Sequence, residues 1–188
     1  MIVLPESTAT ISTKSAIEAA GGGTLALAIA MLENSTLLCD YVFGDKAPDG
    51  CPKIEDAANF GIYKMNWFML QECPSVVAIL GSYNQNCRSN AWAAVGTKIN
   101  DDLTLTTKLL LEAMAKWSTD APIAGDPIAG NFWAGHRWGE TGLNNPTAEL
   151  WNDIIGYYSA VQAIKGRCDT DDTVWTSNVR YYVDVPPV

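Results

Sequence analysis

The run Thr24-Leu25-Ala26-Leu27-Ala28-Ile29-Ala30-Met31-Leu32 constrains the fold more than any other stretch. It is apolar on every face and then stops at a carboxylate, Glu33. A helix with a polar face can lie on a surface, whereas one without must be buried on all sides. About ten residues make a rod of roughly 15 Å. That suits a central core helix and falls well short of the roughly 20 apolar residues that cross a bilayer. Gly21-Gly22-Gly23 read as a turn before it, and Thr24 as its N-cap. The helix thus delivers Glu33 to the edge of the core. Burial and the negative end of the helix both disfavour ionisation there, which predicts a raised carboxyl pKa, as a general acid requires. The plain alternative is a Glu that leaves the core and meets solvent.

A partner acid is less defined. Asp40, Asp45, Asp49, Glu55 and Asp56 all follow Glu33. Asp45 stands in a turn between Gly44 and Lys46, after Tyr41 and Phe43, where a carboxylate can stay ionised as base or nucleophile. Asp56 reads more simply as a helix N-cap.

The rest of the chain is read as mainly α with a small β-hairpin, in a single domain covering residues 1–188. Residues 1–13 read as a loosely ordered arm, and 14–20 as a short helix. Strand-like pieces at 37–45 lie among glycines and prolines. Residues 56–72 read as a helix with Phe60, Tyr63, Trp67 and Leu70 at helical spacing, ended by Pro74. Further helices are expected at 90–99, from Asp102 as cap to Trp117, and after Asn145 as cap with Pro146 in the first position. In that last helix Leu150, Ile154, Tyr158 and Val161 form the expected buried face. The segment 120–145 reads as a long Gly-rich connection, and 173–185 as extended.

Charge narrows the ligands. The formal net charge is −9, and only twelve Lys and Arg are scattered along the chain. Nucleic acid needs clustered cations, so it is not an expected partner, and anionic membranes and wall polymers would be repelled. A neutral polymer is compatible. Cys39, Cys51, Cys73, Cys87 and Cys168 include no Cys-x-x-Cys pair, and the chain has one His. That pattern opposes a structural zinc site and suits disulfides in a secreted protein. The nearest pairing is Cys39–Cys51 and Cys73–Cys87, leaving Cys168 alone; buried inert thiols are the alternative. Residues 1–14 lack a signal-peptide pattern, so secretion would mean that the signal has already been removed.

Tyr41, Phe43, Phe60, Trp67, Trp133 and Trp138 are the aromatics that offer stacking faces to a sugar, although core packing is the usual fate of each. Trp133 and Trp138 stand out because they flank His136 in the Gly-rich segment. His136 can donate to a substrate hydroxyl or serve as acid or base. No Gly-x-Ser-x-Gly elbow and no P-loop ending are present. Asn34-Ser35-Thr36 is a glycosylation sequon, expected to be unused beside a cleft.

Three segments in order carry a resemblance: Ala28-Ile29-Ala30-Met31-Leu32-Glu33, Tyr41-Val42-Phe43-Gly44-Asp45, and Asp56-Ala57-Ala58-Asn59-Phe60-Gly61-Ile62-Tyr63-Lys64 with Asn66-Trp67. The chain resembles glycoside hydrolase family 134, endo-β-1,4-mannanases with a fold like that of hen-type lysozyme. The likeness extends through Ala134-Gly135-His136-Arg137 into the last helix. The resemblance implies a lysozyme-like single domain, with Glu33 as general acid and Asp45 as general base. It further implies inversion at the anomeric carbon, with no metal or cofactor. The carboxyls would then stand roughly 6.5–9.5 Å apart with a water between them. It places Asn59, Lys64, Asn66, Trp67, His136 and Trp138 along the cleft, where Tyr41, Phe43 and Phe60 are further expected to bind substrate as stacking aromatics. Met65 departs from the pattern, standing where a polar residue is expected. The expected partners are β-1,4-mannan and manno-oligosaccharides, met outside the cell by a monomer. The alternatives are a lysozyme-like hydrolase of chitosan, chitin or peptidoglycan, or a non-catalytic glycan-binding or host-interaction protein.

Overall fold

The structure, a computed structural model, describes residues 2–4, 9–34, 37, 57–80, 92–118, 130–144 and 147–183. The described chain is mainly helical. Its helices are α1 (Ala9–Ala19), α2 (Gly23–Glu33), α3 (Trp67–Leu70), α4 (Pro74–Leu80), α5 (Trp92–Asp101), α6 (Leu103–Trp117), α7 (Gly130–Asn144) and α8 (Ala148–Thr170). The strands are β1 (Ile2–Leu4), β2 (Asn59–Phe60), β3 (Met65–Asn66) and β4 (Arg180–Tyr182). They form two small antiparallel sheets, β1 with β4 and β2 with β3. This is the mainly α fold with a small hairpin that the sequence implies. No helix among the described residues is long and apolar enough to cross a membrane.

The central helix is α2. Residues Ala26 to Met31 are all buried, and α2 packs most extensively along α8. Burying Leu27, Ile29 and Met31 contributes about 1.5–3 kcal/mol each. Thr24 is not its cap: Gly22 holds that position without a side-chain bond, and the Thr24 hydroxyl instead donates to Asp169 Oδ1 on α8 at 2.5 Å. At the other end, Arg180 from β4 donates through Nη2 to the Met31 carbonyl, with its guanidinium over the Tyr182 ring at 5.1 Å. A buried cation at a helix C-terminus satisfies a carbonyl and opposes the negative end of the dipole.

The N-terminal segment differs from the expected arm. Residues 2–4 pair with the C-terminal strand in the register Val3↔Tyr181, and α1 begins at Ala9 rather than at Lys14. Lys14, fully buried, donates through Nζ to the Ser177 carbonyl at 3.0 Å and to the Val179 carbonyl. These ties join the two ends of the chain, so no local pattern announces them.

Residues 56–72 are not one helix. Asn59↔Asn66 and Phe60↔Met65 pair as a hairpin, and only Trp67–Leu70 is helical. The turn explains the difference. Gly61 has φ +69°, and Lys64 closes the turn at φ +47° with its N–H bonded to the Gly61 carbonyl at 3.0 Å. A left-handed φ is cheap only for glycine. The turn is pinned from outside by Asn100 Oδ1, which accepts from Gly61 N at 2.9 Å. The strand-like pieces expected at 38–45 lie outside the described residues.

Segment 130–144 is helix rather than Gly-rich connection, broken only at Gly139, where φ is 56°. Glycine costs about 1 kcal/mol per helical position, but the aromatic face overrides that cost. Phe132 and Trp133 are buried, and Trp133 packs against Tyr157 and Tyr158 of α8 at 5.9 and 5.3 Å. Asp102 caps α6 as expected, accepting from Leu105 N at 2.9 Å. The cap of α8 is Thr147, which accepts from Leu150 N at 3.3 Å, and not Asn145. Pro74 opens α4 rather than only ending its predecessor. Cys73 and Cys168 are buried free thiols. The Cys73–Cys87 bridge is therefore not made, because Cys73 sits inside the core with its Sγ directed at the Met69 carbonyl. Cys39, Cys51 and Cys87 lie outside the described residues.

Candidate active site

Glu33 is the last residue of α2, and the chain turns extended at Asn34. Its side chain keeps 16% of its exposure, so it sits at the core boundary. It meets residues of α7 and α8. His136 Nε2 lies 3.5 Å from Glu33 Oε1 and 3.0 Å from the Tyr157 hydroxyl, which also hydrogen bonds to Glu33. His136 is buried, stacked on Phe132 with ring centroids 5.4 Å apart. Among the described residues, its Nδ1 has no hydrogen-bond partner.

The expected rise in the Glu33 pKa is overturned. Burial is the largest single influence and opposes ionisation. The hydrogen bond and the electrostatic influence of His136, the hydrogen bond from Tyr157 and the charge of Lys64 together outweigh it, and the carboxyl lies below the ordinary Glu value. Several donors and charges acting together on one carboxylate favour its charged form more than burial penalises it. Tyr157, desolvated and facing the Glu33 charge, is pushed well up and stays a hydroxyl.

A second cluster abuts the first. Arg137 grips Asp153 with both ends of its guanidinium, Nε to Oδ2 at 2.7 Å and Nη2 to Oδ1 at 3.1 Å. Trp138 Nε1 donates to the same Oδ2 at 2.8 Å, which fixes the orientation of a half-buried indole. The Arg137 guanidinium lies over the Tyr157 ring at 5.3 Å. Burial alone would raise the Asp153 carboxyl, but the bonds from Arg137 and Trp138 and the Arg137 charge hold it below its ordinary range.

The residues expected to line a cleft divide into groups. Glu33, His136 and Lys64 come together, Lys64 through its charge on Glu33. Asn59 and Lys64, on the hairpin, are half-buried, as is Trp138. Phe60 and Trp67 are fully buried and pack edge to face at 5.9 Å, so they back the hairpin from within. Asn66 is also buried: Oδ1 accepts from Met69 N at 3.1 Å to cap α3, and Nδ2 donates to the Gly135 carbonyl at 2.7 Å, tying hairpin to α7. Trp133 is core, and Met65 is buried rather than turned to a cleft. Asp45, Tyr41 and Phe43 lie outside the described residues.

Sequence reasoning missed Tyr157, Asp153 and the structural role of Arg137. It assigned Tyr158 to the buried face of α8, whereas the neighbouring Tyr157 is the buried one. The signal was present as Asp153 and Tyr157, one helical turn apart and flanked by Ile154 and Val161.

A helical domain that ends its central helix on a carboxylate, pressed against a histidine and a tyrosine, has the parts for proton transfer to a bound substrate. The chain matches Glycosyl hydrolase family 134 across residues 12–185, nearly its whole length, and belongs to that family. It is therefore a glycoside hydrolase. None of the curated proteins compared matches it.

Proposed function

We propose that the protein is a secreted, monomeric endo-hydrolase of β-1,4-mannan that works with inversion, Glu33 acting as general acid and Asp45 as general base. The observation that carries this reading is Glu33 itself. Its carboxyl is held by His136 and Tyr157, while the side chain keeps partial exposure at the end of α2. Family membership supports a glycan substrate, and a net charge of −9 suits an uncharged one.

In this scheme the Glu33 O–H bond breaks as its proton passes to the glycosidic oxygen. The bond from the anomeric carbon to that oxygen breaks, its electron pair going to the leaving sugar. A water attacks from the opposite face while Asp45 takes one of its protons. Solvent then reprotonates Glu33 and removes the proton from Asp45. The lowered pKa of Glu33 has a consequence of definite sign. An acid must be protonated to act, so kcat/KM should fall as pH rises through a value below the ordinary carboxylate range.

The same observation favours a second reading, in which Glu33, ionised at rest, is the base and Asp45 the acid. Then kcat/KM would rise with pH through that low value. The decisive experiment is Glu33→Gln assayed for reducing ends released from mannan. Loss of roughly 10²-fold or more is expected for either proton-transfer role. Unchanged release would remove Glu33 from the mechanism, and an initial product of retained anomeric configuration by NMR would exclude the water-and-base step.

A further inference from the structure

His136 and Tyr157 face Glu33 from two different helices, and their geometry restricts where protons can reside. The neutral imidazole has one N–H. On Nδ1 it would be a buried donor with no acceptor among the described residues, which is costly. On Nε2 it points at the Tyr157 oxygen 3.0 Å away, with Glu33 Oε1 at 3.5 Å as a second acceptor. The Tyr157 oxygen, having accepted, has its own proton free for Glu33, to which it is hydrogen bonded.

We propose that His136 and Tyr157 are positioning residues for Glu33, forming a chain of donors from imidazole N–H to phenol oxygen and from phenol O–H to carboxyl. The chain stabilises the carboxylate left when Glu33 gives up its proton. It also commits the carboxyl edge facing His136 and Tyr157 to accepting, so the transferable proton sits on the opposite edge. This inference rests on the reading of Glu33 as the proton donor.

The surroundings fit the assignment. Among the described residues, the charged and titratable groups around these donors are Lys64 from the hairpin, Arg137 on α7 and Asp153 on α8. Arg137 is neutralised by its two bonds to Asp153, and it covers the Tyr157 ring. Phe132 holds the His136 ring plane by stacking at an interplanar angle of 14°. Tyr157 and His136 are therefore fixed before any substrate arrives, as an arrangement that stabilises developing charge requires.

The test is Tyr157→Phe in the full chain, which removes one hydroxyl and little volume. The pH profiles of kcat and kcat/KM on mannan are compared with wild type. Loss of a donor to the carboxylate should move the Glu33 limb of the profile to higher pH and lower plateau kcat by about tenfold. That loss is smaller than the roughly 10²–10⁴-fold worth of a general acid, and KM should change little. A limb at unchanged pH, with activity lost equally at all pH values, would mean a purely structural tyrosine and overturn the proposal. His136→Gln, which can still present an N–H, should restore part of what His136→Ala loses.

Should Tyr157→Phe fail to fold, ¹⁵N NMR of the wild type decides, since His136 is the chain's one histidine. A neutral ring protonated at Nε2 is required, and one protonated at Nδ1 would refute the chain of donors. Failure of the underlying functional reading looks different. A limb that rises with pH, or a wild type inactive on mannan, sinks the acid assignment alone. The pairing is then read from the ¹³C titration of the Glu33 carboxyl, which must shift upward in Tyr157→Phe.

Discussion

Replacing Gly61 by alanine tests whether the hairpin is dictated by its turn. The residue has φ +69°, a region where a side chain costs about 1–2 kcal/mol. An added Cβ would also lie 2.2 Å from the Thr106 Cγ2 methyl, well inside van der Waals contact. Thr106 cannot yield easily, because it is buried and its hydroxyl donates to the Ile99 and Asp102 carbonyls. Overpacking of this kind adds about 1–3 kcal/mol. Gly61→Ala should therefore destabilise by about 2–5 kcal/mol, which lowers Tm by about 2–4 °C for each kcal/mol in a chain of this size. Thr106→Ser removes the offending methyl and keeps the hydroxyl, at a cost of about 0.5–1.5 kcal/mol for a lost buried methyl. In the double variant the steric part should vanish, leaving only the backbone cost. Urea denaturation followed by circular dichroism gives all four corners of the cycle. A coupling of about 1–3 kcal/mol in favour of the double variant is expected. Strict additivity would refute the contact between the turn and α6, and a stable Gly61→Ala would refute the left-handed turn as well.

Two further predictions come from the titrating groups. Asp153→Asn breaks the Arg137 fork and frees the Trp138 indole; with the pair partly exposed, the loss should be about 1–3 kcal/mol at neutral pH, below that of a fully buried pair. Because the folded pKa of Asp153 is depressed, its contribution is present above the unfolded value and lost as pH falls through the folded one, so the variant's stability measured against pH should flatten in that acid window. An unchanged acid profile would argue against the pairing. Burial pushes the thiols of Cys73 and Cys168 up to about 12, so neither should be labelled by a thiol reagent at neutral pH until the chain unfolds. Peptide mapping after brief native labelling checks this, and rapid modification of either residue would contradict its placement in the core.

What the sequence determined by itself was local. An all-apolar run long enough for three turns can only be a buried helix, so α2 and the carboxylate at its end were legible from residues 24–33 alone. So were α6 with its Asp102 cap and the body of α8, where apolar stripes recur at helical spacing. The segments around Glu33, Asp45 and Asn59–Trp67, following one another in the sequence, carried the family resemblance. Tertiary structure decided the rest. Phe60, Tyr63, Trp67 and Leu70 have helical spacing, yet they divide between a hairpin and a short helix. Asn100 and Thr106 of the distant α5 and α6 hold the turn at Gly61, and periodicity cannot register a contact across forty residues. Glycines disguised α7, whose aromatic face is stabilised only by packing on α8. The acidity of Glu33 followed the same rule. Burial and the helix end, the two influences visible along the chain, both pointed upward. The donors that reverse the sign, His136 and Tyr157, arrive from helices that the sequence alone could not bring to it. A pKa answers to every charge and donor within a few ångströms, and only the folded chain determines which residues those are.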